Sequence, residues 1–87
     1  MEIQGIIERL QKEIASTRFS FLVRVCTEYF GMPRIKGSHH IFKTPWPGDP
    51  RLNLQSAKGK AKPYQVEQVI SALKKLDTIK DNEDAQN

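Results

Sequence analysis

Arg34-Ile35-Lys36-Gly37-Ser38-His39-His40-Ile41-Phe42-Lys43-Thr44 is the stretch in which the chain changes its periodicity. Gly37-Ser38 separates two short runs, Arg34-Ile35-Lys36 and His39 to Thr44, that each suit a strand. A tight turn between such runs predicts an antiparallel hairpin. Because neighbours on a strand point to opposite faces, His39 and Ile41 are expected on one face, and His40 and Phe42 on the other. Only one histidine then reaches an open face. Which one depends on whether the turn carries a bulge, and the sequence leaves that open.

Working outward, the flanks read as helices. Ile3, Ile6, Ile7, Leu10 and Ile14 recur at helical spacing, with Glu8, Arg9, Lys12 and Glu13 on the other side, which predicts an N-terminal helix over residues 2–15. Ser16-Thr17 reads as a break and a new N-cap. Phe21, Leu22, Val25, Cys26, Tyr29 and Phe30 form a second helical stripe, closed by Gly31 and Pro33. Cys26 falls inside that stripe and reads as a small core residue rather than a nucleophile. After the hairpin, Pro45-Trp46-Pro47-Gly48-Asp49-Pro50 suits neither helix nor strand. Leu52-Asn53-Leu54-Gln55 alternates like a third strand, and Lys58-Gly59-Lys60-Ala61-Lys62 reads as a flexible basic loop. Pro63 opens a last helix with the stripe Val66, Val69, Ile70, Leu73, Leu76. The expected architecture is α+β: a small three-stranded antiparallel sheet with helices packed on one face, in the order α-α-β-β-β-α. Residues 1–76 form one domain, and residues 77–87 an acidic, disordered tail.

Charge is unevenly spread. The net balance is +4. Asp77, Asp81, Glu83 and Asp84 outweigh Lys80 at the C-terminus. Between residues 34 and 62, Arg34, Lys36, Lys43, Arg51, Lys58, Lys60 and Lys62 face the single acid Asp49. Such a concentration suits a polyanion, since each neutralised phosphate releases counterions. An ordinary solvated face is the alternative. One cysteine cannot form an internal disulfide, there is no spanning apolar run, and Glu2 begins a start unlike a signal peptide; a cytoplasmic, membrane-free protein is expected.

The chain's only two histidines sit within this cationic region, and histidine exchanges protons near neutral pH. Adjacent histidines on a strand diverge, and no Cys pair or acidic cluster stands near them, so metal ligation is not expected. Ser38 lacks a nucleophile elbow and no acid is placed to orient His39. Phosphate-binding glycine loops are absent, so no small-molecule cofactor is expected. What remains is binding or cleavage of nucleic acid. In RNA, one histidine can take the proton of a 2′-hydroxyl while lysine or arginine stabilises charge on phosphorus. Trp46, Tyr64 and Phe42 are candidates for base stacking, each with packing as its alternative role.

The Gly37-Ser38-His39-His40-Ile41-Phe42 segment, the short strand beyond it, the Lys/Gly loop and the Pro63-Tyr64-x-Val66-x-x-Val69 helix resemble the HicA toxins, partners of the HicB antitoxins in bacterial and archaeal toxin–antitoxin systems. The resemblance covers roughly residues 18–76. It implies a double-stranded-RNA-binding-like fold and a metal-independent, ribosome-independent endoribonuclease acting on mRNA, with a HicB-type antitoxin covering the histidine face. The family's catalytic histidine follows the Gly-Ser pair, which carries over to His39, with His40 as the alternate; Gly37 carries over as the turn glycine. Charge and turn position add Lys36, Gly37, Ser38, Lys43, Lys58, Lys60 and Lys62 as RNA-binding candidates. The first helix precedes the family's usual start, and the Pro45–Pro50 loop is longer than usual. A non-catalytic RNA-binding module of the same fold and a protein-interaction domain stand as alternatives.

Overall fold

The computed structural model describes residues 2–48 and 51–86, with side chains as far as residue 80. Helix α1 spans Ile3–Lys12 and buries Ile6, Ile7 and Leu10, the stripe expected of it. It stops earlier than expected, so Ile14 lies beyond its end in a run of turns and packs half-buried against the core. Helix α2, Phe19–Phe30, buries Leu22, Val25 and Cys26, and ends at Gly31 with φ 89°. Its N-terminus is not capped by Ser16 or Thr17. The Thr17 hydroxyl instead donates back to the Glu13 carbonyl at 2.7 Å, closing the turn after α1, and Arg18 takes the cap position with extended backbone.

The sheet has four antiparallel strands in the order β1-β2-β3-β4: Arg34–Lys36, His39–Phe42, Leu52–Ala57 and Lys60–Ala61. The three expected strands are present, and the fourth corrects the reading of residues 58–62 as a loop. Lys58 and Gly59 both adopt positive φ, 53° and 83°, as a two-residue type I′ turn requires. The hairpin is held from outside its own sequence. The Phe19 N–H donates to the Gly59 carbonyl at 3.0 Å, and the Ala61 N–H to the Thr17 carbonyl at 2.9 Å. The linker before α2 thus bridges to β4 at Arg18 and Lys60.

Between β1 and β2 the register pairs Lys36 with His39 and Ile35 with His40, leaving Gly37 and Ser38 as the turn and no room for a bulge. Gly37 alone has positive φ, 61°, which matches a type II′ turn with glycine first. The β2–β3 register places Phe42 opposite Leu52 and His40 opposite Leu54. Phe42, Leu52, Leu54 and Ala61 are buried beneath the helices. Each large apolar side chain removed from water there contributes about 1.5–3 kcal/mol. Helices α2 and α3 meet the strands, while α1 lies along α3.

Helix α3 runs Pro63–Gln86, continuing past residue 77, where the sequence pattern predicts an acidic, disordered tail. No Gly or Pro interrupts residues 64–86. Gln4 of α1 donates to the Asp77 carboxylate, and the Lys80 ammonium lies 5.8 Å from the centre of the Tyr29 ring on α2. These contacts carry α3 past its last buried leucine, Leu76. The side chains of Asp81, Glu83 and Asp84, like residues 49 and 50 of the β2–β3 connection, lie outside the described residues. Among the described residues, no helix is long and apolar enough to cross a membrane.

Candidate functional site

Strand parity divides the histidines. His40 shares its face with Phe42 and Leu54 and turns toward the helices, where its ring meets Phe19 edge-on at 5.2 Å and 77°. Its Nδ1 is buried without a hydrogen-bond partner. His39 points the other way, onto the face shared with Arg34, Lys36, Ile41, Asn53 and Gln55. The two rings therefore form no common site.

His39 is oriented by a diagonal contact. Asn53 lies opposite Ile41 in the register, yet the His39 Nδ1–H donates to Asn53 Oδ1 at 2.9 Å. With Nδ1 carrying the hydrogen, Nε2 is the ring's accepting atom. A parallel contact lies beside it, the Gln55 Nε2 donating to Ser38 Oγ at 2.9 Å, which ties the turn to β3. The orienting group expected to be missing is thus an amide rather than an acid. Its signal was the alternation Leu52-Asn53-Leu54-Gln55, which places both amides on the side opposite the buried leucines.

The groove beside His39 is closed by α3. Strand β4 is too short to reach Gln55, and the buried side chain of Gln65 takes its place along β3. One amide orientation gives a single 3.4 Å bond from the Gln55 N–H. The reverse orientation, which satisfies both groups, accepts from the Gln55 N–H and donates to the Gln55 carbonyl, each at 3.2 Å. Gln65 thereby continues the ladder with its side chain and anchors the first turn of α3 against the sheet. Tyr64 and Gln68 then line a groove of about 290 Å³ with His39, Arg51, Asn53 and Gln55.

Arg51 joins three adjoining depressions. It lines the His39 groove, a depression with Arg34, Ile41 and Lys43, and a larger cavity between α3 and the β2–β3 connection. Of the expected RNA-binding residues, Lys36 pairs with His39, Lys43 just past β2 lines the depression with Arg34 and Ile41, and Gly37 and Ser38 form the turn. Lys58 and Lys60 belong to the β3–β4 hairpin, away from the imidazole groove. Lys62 serves α3, its carbonyl accepting from the Gln65 and Val66 N–H groups at 2.9 and 3.2 Å. Phe42 is fully buried and offers no stacking surface, whereas Tyr64 is half exposed. Arg51, Asn53, Gln55, Gln65 and Gln68 were not singled out as site residues by motif.

Cys26 is a core residue, and burial pushes its thiol up to about 12. Among the described residues, no three His, Cys, Asp or Glu side chains gather as a metal site. The molecule is thus a small α+β protein with one buried and one open sheet face. Compared with known protein families, curated proteins and solved structures, the chain matches none.

Proposed function

We propose that this chain is a ribonuclease toxin of the HicA type, a cytoplasmic, ribosome-independent endoribonuclease that cleaves mRNA without a metal and is neutralised by a HicB-type antitoxin. One observation carries the reading: the His39 imidazole stands on the open sheet face, tied at Nδ1 to Asn53, with Nε2 as its accepting atom in a groove that Arg51 also lines. The sequence α2-β1-β2-β3, then β4 and α3, supports a double-stranded-RNA-binding-like arrangement with one added short strand.

In this reading His39 Nε2 takes the proton of a 2′-hydroxyl, whose oxygen attacks the adjacent phosphorus. The bond from phosphorus to the 5′-oxygen breaks, and that oxygen leaves with a proton from the imidazolium or from water. The Arg51 guanidinium stabilises the charge that develops on the phosphoryl oxygens. Lys36 and Lys43 hold neighbouring phosphates, and an antitoxin laid over this face blocks the RNA.

The test is incubation of purified protein with mRNA in EDTA, comparing wild type, His39→Ala and His40→Ala. Wild type and His40→Ala are expected to cleave, and His39→Ala to lose about 10²–10⁴-fold in rate. No cleavage by the wild type under any condition sinks the enzyme reading. Salt-dependent binding without cleavage then favours a non-catalytic RNA-binding module.

A further inference from the structure

A second cavity lies not at the imidazole but next to it. It measures about 550 Å³ and shares Arg51, Tyr64 and Gln68 with the His39 groove. One wall is Trp46, from the Pro- and Gly-rich connection after β2; Thr44 lies beside it. The opposite wall is α3, with Tyr64, Gln68, Ser71 and Lys75 in a stripe at helical spacing and Glu67 and Ala72 beside them. This stripe differs from the one that faces the core, so α3 is two-sided here: Val66, Val69, Ile70 and Leu73 pack inward while Tyr64 stays 54% exposed.

The chemistry of the walls fits a flat heteroaromatic ring with polar edges. The Tyr64 side chain is accessible from solvent, and bases stack on accessible aromatic rings whatever their identity. The Gln68 amide, the Ser71 hydroxyl and the Thr44 hydroxyl both donate and accept, as base edges require. The Lys75 ammonium sits 4.6 Å from the centre of the Trp46 ring, so a cation is held at the cavity wall. Phe30 braces Trp46 edge-on at 6.1 Å. Trp46 is thereby anchored to the core on one side and faces the cavity on another. Arg51, at the junction, stands where a phosphate would join a base in the large cavity to the linkage beside His39.

We infer that this cavity binds the nucleobase of a nucleotide adjoining the linkage held at His39, with Tyr64 as the stacking platform and Gln68 and Ser71 at the base edge. The inference rests on reading the His39 face as the RNA-cleaving face. It adds that the protein contacts bases as well as phosphates, and that base preference is set by α3 rather than by the sheet.

Trp46 is the only tryptophan in the chain, so its fluorescence reports on this cavity alone. The probe is a mixed-sequence pool of single-stranded hexanucleotides with 2′-O-methyl riboses, which cannot be cleaved through a 2′-hydroxyl. The comparison is a hexamer of the same backbone without bases. The base-bearing pool is expected to bind more tightly and to change Trp46 emission saturably, the abasic chain to leave it unmoved. Tyr64→Ala should weaken binding of the pool about 5- to 150-fold, with Tyr64→Phe restoring it to within about twofold of wild type. Tyr64 is exposed and alanine favours helix, and circular dichroism verifies that the variant folds. Equal affinity for abasic and base-bearing chains, unchanged affinity in Tyr64→Ala, or no oligonucleotide binding at all overturns the inference. Base-dependent binding in a protein that cuts no RNA refutes the nuclease reading and leaves the base cavity standing. Cleavage accompanied by Tyr64-independent binding refutes the cavity alone.

Discussion

His39 on β2 and Asn53 on β3 are joined diagonally across the open face, the imidazole Nδ1–H donating to the amide Oδ1 at 2.9 Å. The contact fixes both the tautomer and the ring plane, as an orienting partner does for a histidine that exchanges protons at its other nitrogen. Asn53→Ala should therefore lower the cleavage rate by about tenfold, less than removal of His39 itself, which forfeits the whole acid–base term of about 10²–10⁴. The loss should fall on kcat, with KM for RNA little changed, because Asn53 acts through His39. Single-turnover kinetics read the two apart, and a variant whose loss lies wholly in KM refutes the positioning role.

His40 should behave in the opposite way. Its Nδ1 is buried without a partner while its ring meets Phe19 edge-on. An orphaned buried nitrogen costs about 1–3 kcal/mol, and an aromatic pair contributes about 0.5–1.5 kcal/mol. His40→Phe keeps the ring contact and removes the nitrogen, so it should raise stability by about 1 kcal/mol and leave cleavage intact. His40→Ala should lose stability to the space it opens. Urea unfolding of the three proteins checks the order, and a destabilised His40→Phe contradicts it.

The alternation of residues 39–42 was enough to separate the two histidines, and Gly37-Ser38 was enough to predict the hairpin, because strand parity and turn chemistry are local properties. The fourth strand was not legible. Lys58-Gly59-Lys60 has no apolar alternation, and the β3–β4 hairpin is held from outside by Thr17 and Phe19, distant in sequence, which bond to Ala61 and Gly59. The same holds for the end of α3, where the apolar stripe stops at Leu76 but Asp77 is tied to Gln4. Asn53 and Gln65 act at the site through register and through a side chain standing in for a strand. Neither relationship exists until β3 is paired.

Gln65 gives a sharp test of that substitution of side chain for strand. It is buried and satisfies both backbone groups of Gln55 at 3.2 Å. Gln65→Leu keeps the bulk but leaves the part-buried N–H and carbonyl of Gln55 without the amide. The expected loss is about 2 kcal/mol, the low end of about 1–3 kcal/mol for each of two part-buried groups. Amide exchange at Gln55 should quicken while that at Leu54 changes little. A Leu variant as stable as the wild type means that water or a shifted α3 satisfies Gln55 instead.

The alkaline limit of stability should carry the mark of Cys26. Burial raises its thiol from 9.0 to about 12 in the folded protein, while the unfolded chain ionises near the ordinary value. The unfolded state thus loses its proton first as pH rises. The stabilising contribution is complete below about pH 9 and disappears as pH climbs from 9 toward 12. Tyr29 is also raised, by burial and then by the charges of Glu28 and Glu2, so it adds to the decline in any variant that retains it. Comparing wild type with Cys26→Ala cancels that shared part. The urea midpoint should fall more steeply in wild type than in Cys26→Ala between about pH 8 and about pH 10.5. Below pH 9 the wild type should be the more stable of the two, because alanine leaves a small cavity between α2 and the sheet. Equal slopes in the two proteins would mean that the thiol already reaches water in the folded state, and the native protein would then react with a thiol reagent as fast as the unfolded one.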